Sequence, residues 1–117
     1  MTNLEFFTQD LQELDYNGYC SWERKGVTLV VYRHRFGHLC GYAEITDKAS
    51  IDLNSLHGGV TYQGELDWLD PKFKGKQFLG FDCAHAGDWV PDGGNFYDDV
   101  YRDTCFVTYI LETCLVF

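Results

Sequence analysis

Leu56-His57-Gly58-Gly59-Val60-Thr61-Tyr62-Gln63-Gly64 and Phe78-Leu79-Gly80-Phe81-Asp82-Cys83-Ala84-His85-Ala86-Gly87-Asp88-Trp89 are the two stretches whose reading decides the fold. Each reads as a short strand with reactive polar residues at one end. His57 and two glycines precede Val60-Thr61-Tyr62, while Asp82, Cys83, His85 and Asp88 follow the run Phe78 to Phe81. Antiparallel pairing sets the start of one strand beside the end of the other. His57 is then expected to face the Asp82, Cys83, His85 and Asp88 cluster, which makes that corner the candidate functional site.

Working outward, Tyr19 to Glu23 and Val27 to His34 read as strands joined by a turn at Arg24-Lys25-Gly26. Val27, Leu29 and Val31 share one face and Val30 and Tyr32 the other, so this second strand is expected to lie inside the sheet. Phe36 to Ile45 reads as a further strand, broken or bulged at a glycine. Asp47 to Leu56 reads as a loop, 64–77 as a turn-rich connection, and Gln77 to Asp82 as a strand. Leu4, Phe7, Leu11 and Leu14 recur every three or four residues, which predicts a helix over 3–16 capped by Thr2 or Asn3 and ended by Asn17-Gly18. Tyr101, Cys105, Thr108, Leu111 and Leu115 predict a last helix, with Asp98 or Asp99 as its cap. Gly87, Pro91, Gly93 and Gly94 keep 86–97 irregular, where a binding lid would sit. The expected fold is α+β: four to five mostly antiparallel strands, with N- and C-terminal helices packed on them, in a single domain over 1–117.

With 117 residues and a formal charge of −9, the chain lacks the basic surface of a general nucleic-acid binder. An acidic inhibitor that mimics nucleic acid is a different matter, but the carboxylates look scattered along the sequence. No run approaches the roughly 20 apolar residues of a membrane span, and the first residues show neither a basic start nor a long apolar run. Five cysteines without a Cys-x-x-Cys pair point to reduced thiols in a cytosol and give no zinc knuckle.

The segments 37–42 (GHLCGY), 57–64 (HGGVTYQG) and 78–88 (FLGFDCAHAGD), followed by Tyr101-Arg102-Asp103, resemble a family of small uncharacterised bacteriophage proteins. The resemblance covers roughly 37–115, and Cys83 to Asp88 is its most specific part. Ala43 to Ser55 departs from the family's proline- and glycine-rich continuation. What the resemblance implies is a phage accessory protein in the host cytoplasm. Such proteins blunt host defence by sequestering a nucleotide second messenger or by blocking a host protein. It implies no catalytic residues and no cofactor.

The residues admit several chemistries. His57, Cys83 and His85 with Asp82 or Asp88 are zinc-ligand types, but their spacing is not that of a zinc site, and a buried thiol beside hydrogen-bonded histidines is the alternative. Cys83 with His57 or His85 has the makings of a nucleophile and base, without an oxyanion-hole signature. His57-Gly58-Gly59 could turn backbone N–H groups toward a phosphate, or form a tight turn. Arg102 could add a cation there, or pair with Asp99 or Asp103. Among Tyr62, Trp68, Phe81, Trp89 and Phe96, the loop residue Trp89 is the one to assign to a ligand or partner, its alternative being a plug over the sheet edge. The expected ligand-binding set is therefore His57, Gly58, Gly59, Asp82, His85, Asp88, Trp89 and Arg102, with His57, Asp82 and His85 holding the loop rather than catalysing. The leading reading is a binding protein, without a metal or cofactor, whose partner is a nucleotide-like molecule or a host defence protein. A small metal-dependent or thiol hydrolase and an acidic nucleic-acid mimic are the alternatives. Thiol titration of the unfolded protein, with no reductant added, should count five free cysteines; a deficit would contradict the reduced state.

Overall fold

The computed structural model describes residues 1–117. The fold is α+β: a five-stranded antiparallel sheet with two helices packed on it. Strands β1 (Tyr19–Arg24), β2 (Val27–Arg33) and β3 (Leu39–Glu44) form a meander. A two-residue strand, β4 (Ser50–Ile51), precedes β5 (Tyr62–Gly64) and β6 (Phe78–Asp82). The sheet order is β1-β2-β3-β6-β5, so β5 is an edge strand beside β6, as the paired motifs require. Helices α1 (Asn3–Asp10) and α2 (Thr104–Thr113) lie near the two ends of the chain, and β7 (Leu115–Val116) pairs with β4.

Local chemistry explains most of these limits. The β1–β2 turn has positive φ at Lys25 (50°) and Gly26 (83°), the backbone of a two-residue hairpin whose twist matches its strands. Strand β2 is buried on both faces, and two cores result. Val27, Leu29 and Val31 join Leu39, Phe81, Val107 and Leu111 under α2, while Val30, Tyr42 and Phe78 meet Leu66 and Phe73 of the connection 65–77. Of the two expectations for 36–45, the break holds and the bulge does not: Phe36 and Gly37, with φ +100° at the glycine, lie in a turn, and β3 starts at Leu39. Gly41 pairs in register with Val31 and Phe81, and its missing side chain makes room for the Phe81 ring and Val107.

Four expected boundaries are corrected. Helix α1 begins on a Thr2–Glu5 capping box but ends at Asp10, not at residue 16. The next residues are turns that deliver the Leu14 carbonyl to Arg33 Nε at 2.7 Å. Helix α2 is capped by Asp103, not by Asp98 or Asp99. Residues 99–101 are committed elsewhere: Asp99 accepts from the Phe96 N–H, the Val100 N–H donates to the Gly87 carbonyl, and the Tyr101 N–H donates to Asn3. The segment read as a loop over 47–56 contains β4 and a 3-10 turn at Leu53–Ser55, whose cap is Asp52. In the stretch after His57, regular strand begins only at Tyr62 and Val60 is exposed.

Between α1, β2 and α2 lies a buried ion pair. The Arg33 side chain is fully buried, and its Nη2 donates to Asp10 Oδ2 at 3.0 Å. Its Nη1 donates to the Gly37 carbonyl and to the Tyr101 hydroxyl, each at 2.8 Å. Asp10 also accepts from the Tyr101 hydroxyl, from the Thr104 N–H at 3.1 Å and from the Thr104 hydroxyl at 2.7 Å. Burial, then the bond to Asp10, pushes the Tyr101 phenol well above its ordinary value, which keeps it a donor. Removing one member leaves a buried charge without its counterpart, so Asp10→Ala is expected to cost about 3–5 kcal/mol in chemical denaturation; an unchanged midpoint would contradict the role given to the pair.

Candidate functional site

The two motifs meet as expected at the end of the sheet where β6 stops. His57 follows the 3-10 turn, and its Nε2 lies 2.8 Å from both oxygens of Asp88. Arg102, just before α2, donates Nε to Asp88 Oδ1 at 2.9 Å, and the His85 N–H donates to Asp88 Oδ2 at 3.0 Å. The Asp88 side chain is fully buried, and three different segments spend donors on it. Burial alone would raise its pKa. The His85 N–H, His57 and Arg102 together outweigh that and hold it below the ordinary carboxylate value. The Arg102 pairing thus goes to Asp88 and not to Asp99 or Asp103.

The other residues frame this knot. The His57 ring stands edge-on to Phe106, 5.1 Å between centroids, and 6.0 Å from the His85 ring. Gly58 has φ +70° and presses against the His85 imidazole, so that a Cβ there would overlap the ring. The Gly59 N–H is taken by the Leu56 carbonyl at 3.1 Å, closing a tight turn, so the glycine pair does not offer both amides to an anion. Asp82 accepts from the Ala84 N–H at 3.1 Å and stays about one-third exposed. His85 Nε2 lies 3.2 Å from Asp82 Oδ1 without hydrogen-bond alignment, and that nitrogen is otherwise buried and unpartnered. The loop is therefore held through Asp88 by His57, Arg102 and the His85 backbone. Asp82, expected to share that role, braces only the turn that follows it.

Nucleophilic chemistry finds no support at this corner. Cys83 is 2% exposed, and burial, with Asp88 nearby, raises its thiol far above the range where thiolate forms. All five cysteines are free, and no group of three or more histidine, cysteine or acidic side chains is placed to hold a metal ion. The surface clefts are lined by residues outside the corner.

Trp89 is half-buried against Phe7 and Tyr101, at 5.9 and 6.1 Å, so it packs on α1 and the segment entering α2 instead of plugging an edge of the sheet, whose edge strands are β1 and β5. The exposed aromatics are its neighbours in the chain. Phe96 is 75% exposed and Tyr97 wholly so. The loop that carries them is fixed at both ends. Asp88 and Val100 form a parallel bridge, and the Asn95 side chain donates to the Val90 carbonyl and accepts from the Val90 N–H, both at 2.8 Å. Buried Asp99 receives the Phe96 N–H at 2.7 Å, and Asn3 of α1 donates to the Asp99 carbonyl at 2.7 Å. Tyr97 was not singled out by sequence; the only signal was two adjacent aromatics in a loop of glycine and aspartate.

The fold also gathers charge that looks scattered in the sequence. Segments 1–17 and 82–103 hold ten of the eighteen carboxylates and one basic residue, Arg102, leaving eight of each sign elsewhere. The two segments touch through Asn3–Asp99, Asp10–Thr104 and Phe7–Trp89. With Arg33 paired to Asp10 there, most of the net charge of −9 belongs to the part of the molecule these segments form. No helix is long and apolar enough to cross a membrane. Comparisons with protein-family models, with curated proteins and with solved structures find no match to this chain.

Asp88 holds the corner and Asp82 does not, so their substitutions should separate. Asp88→Asn is expected to cost about 2–4 kcal/mol, and Asp82→Ala less than about 1 kcal/mol. Because the folded-state pKa of Asp88 is depressed, its contribution is present above the ordinary carboxylate value of 3.8 and is lost as pH falls through the folded value. Thermal melting of both variants, with the wild type repeated down to strongly acidic pH, checks the ranking; equal losses would overturn it.

Proposed function

We propose that the protein is a non-enzymatic binding protein that docks its acidic end, with the 86–100 loop at the centre, on a basic surface of a partner protein. The observation that carries this reading is the loop itself. Phe96 and Tyr97 stand in solvent on a backbone tied down at Asp88, Asn95 and Asp99. Exposed aromatics held in a fixed conformation lose little entropy on binding and make effective anchors. Exposed Asp92 and Asp98 flank them, so the complementary surface is an apolar recess with a cationic rim.

The packed corner favours this over capture of a nucleotide-like molecule at His57. Gly58 and His85 fill the space, and Arg102 is already spent on Asp88. The buried Cys83 and the absence of a metal-ligand cluster weigh against the hydrolase alternative. The gathered carboxylates favour the acidic-mimic alternative in a modified form: the partner's basic surface is one that otherwise meets nucleic acid. On the phage resemblance, that partner is a host defence protein met in the host cytoplasm.

The experiment is a paired capture with immobilised wild type and the double variant Phe96→Ser, Tyr97→Ser in a bacterial lysate, the retained protein being identified by mass spectrometry. The double variant should melt within about 0.5 kcal/mol of wild type, since both side chains are exposed. It should lose the retained protein, and wild-type capture should weaken with added salt. Equal retention by both proteins, or turnover of a nucleotide by the wild type, defeats the reading.

A further inference from the structure

Lys72, Lys74 and Lys76 fall within five residues of an acidic chain. They belong to the connection between β5 and β6, with Lys76 just before the start of β6, and so lie away from the acidic loop, which follows the end of that strand. Lys76 is paired with Glu44 at 3.4 Å and Lys72 lies over two aromatic rings, and other cations are held in similar ways. Arg33 is bound to Asp10 and Arg102 to Asp88, Arg35 lies over the Phe36 ring and Lys25 over that of Phe117. Beside Lys72 and Lys76 opens a cleft of about 280 Å³ lined by Ser21, Trp22, Glu23, Thr28 and Phe73 together with the two lysines.

The cleft is built from three elements. Strands β1 and β2 supply Ser21, Glu23 and Thr28. The 3-10 turn Pro71–Phe73, capped by Asp70, places the Lys72 ammonium over the rings of Tyr19 and Phe73, at 5.4 and 5.1 Å. Lys76 Nζ lies 3.5 Å from the Thr28 hydroxyl and 3.4 Å from Glu44 Oε2. Glu44 in turn accepts the Thr28 N–H at 3.0 Å, which anchors the Lys76 side of the cleft. Two ammonium groups and two hydroxyls thus border one small space, and Glu23 adds a single carboxylate to its wall.

We propose that this cleft binds a small phosphate monoester bearing hydroxyl groups, of the size of a pentose phosphate. Lys72 and Lys76 supply point charges for the phosphoryl oxygens, and Ser21 and Thr28 supply neutral donors. Glu23 accepts from a ligand hydroxyl. Inorganic phosphate has no sugar hydroxyl to reach this carboxylate while its phosphoryl oxygens lie on the lysines, so it meets only the repulsion and is the poorer ligand. Phe73 is 2% exposed, and the Trp22 side chain packs against the core under α2, so neither ring offers a face for a base to stack on, which points to the sugar phosphate as the recognised part. The volume lies at the small end of ligand pockets. The site is separate from the acidic loop and does not depend on the function proposed for that loop.

Titration of the amide-labelled protein by NMR with ribose 5-phosphate, inorganic phosphate and ribose tests it. Saturable shifts at Ser21, Thr28, Lys72 and Lys76 are expected, strongest for ribose 5-phosphate. Lys72→Met should weaken that binding by about tenfold while the melting temperature holds. Glu23→Gln should bring inorganic phosphate and ribose 5-phosphate toward equal affinity. The Phe96→Ser, Tyr97→Ser variant should bind as wild type does, which keeps failure of this site distinct from failure of the loop. Absence of saturable shifts at these four residues overturns the proposal, as does ribose binding as well as its phosphate. Undiminished affinity in Lys72→Met overturns it too, and Lys76→Met, if it melts like wild type, gives the same reading a second time.

Discussion

A guanidinium buried without a counter-charge is a large penalty, and this fold is arranged so that Arg33 never meets that state. Asp10 neutralises it, the Leu14 and Gly37 carbonyls and the Tyr101 hydroxyl accept three further protons, and the ring of Phe7 lies under its face at 5.3 Å. Those partners come from α1, the turns after it, the β2–β3 hairpin and the segment entering α2. One side chain therefore fixes how the two terminal helices meet the end of the sheet. The acidic loop inherits its position from this junction, because Asn3 and Tyr101 belong to both.

The strands were legible because their signals are local. The Lys25-Gly26 turn, the apolar alternation of β2 and the matched motifs around His57 and Asp82 each carry their information within a few residues. The convergence of His57 on Asp88 followed from antiparallel pairing alone. Helix limits were not legible, since they are set by distant partners. Helix α1 ends at Asp10, whose carboxylate serves Thr104, ninety-four residues away, a partner that no local pattern announces. Asp99 resembles a helix cap in sequence, but its carboxylate reaches back to the Phe96 N–H, three residues earlier, and not forward into α2. Arg33 gave no sign of its role, since a lone arginine at the end of a strand reads as a surface residue.

The same limit applies to function. Asp82, Asp88 and Asp92 look alike in a string of letters, yet one is part-exposed at a turn, one is buried under three donors and one is exposed on the loop. Sequence also makes the carboxylates seem dispersed, since 1–17 and 82–103 lie far apart along the chain. Only the contacts among α1, Trp89 and the start of α2 collect them. Charge is thus polarised: the end with the acidic loop carries most of the surplus.

The sheet order has a kinetic consequence. Strands β1, β2 and β3 follow one another directly, so their pairing closes only short loops. Arg33, at the end of β2, is in place as soon as that meander forms. Its carboxylate arrives from the N-terminal segment and its phenol from a residue sixty-eight positions onward. Until both arrive, the meander carries a cation that resists burial, and the surrounding apolar surface stays hydrated. The buried cation thus couples burial of the apolar surface around β2 to docking of both arms of the chain.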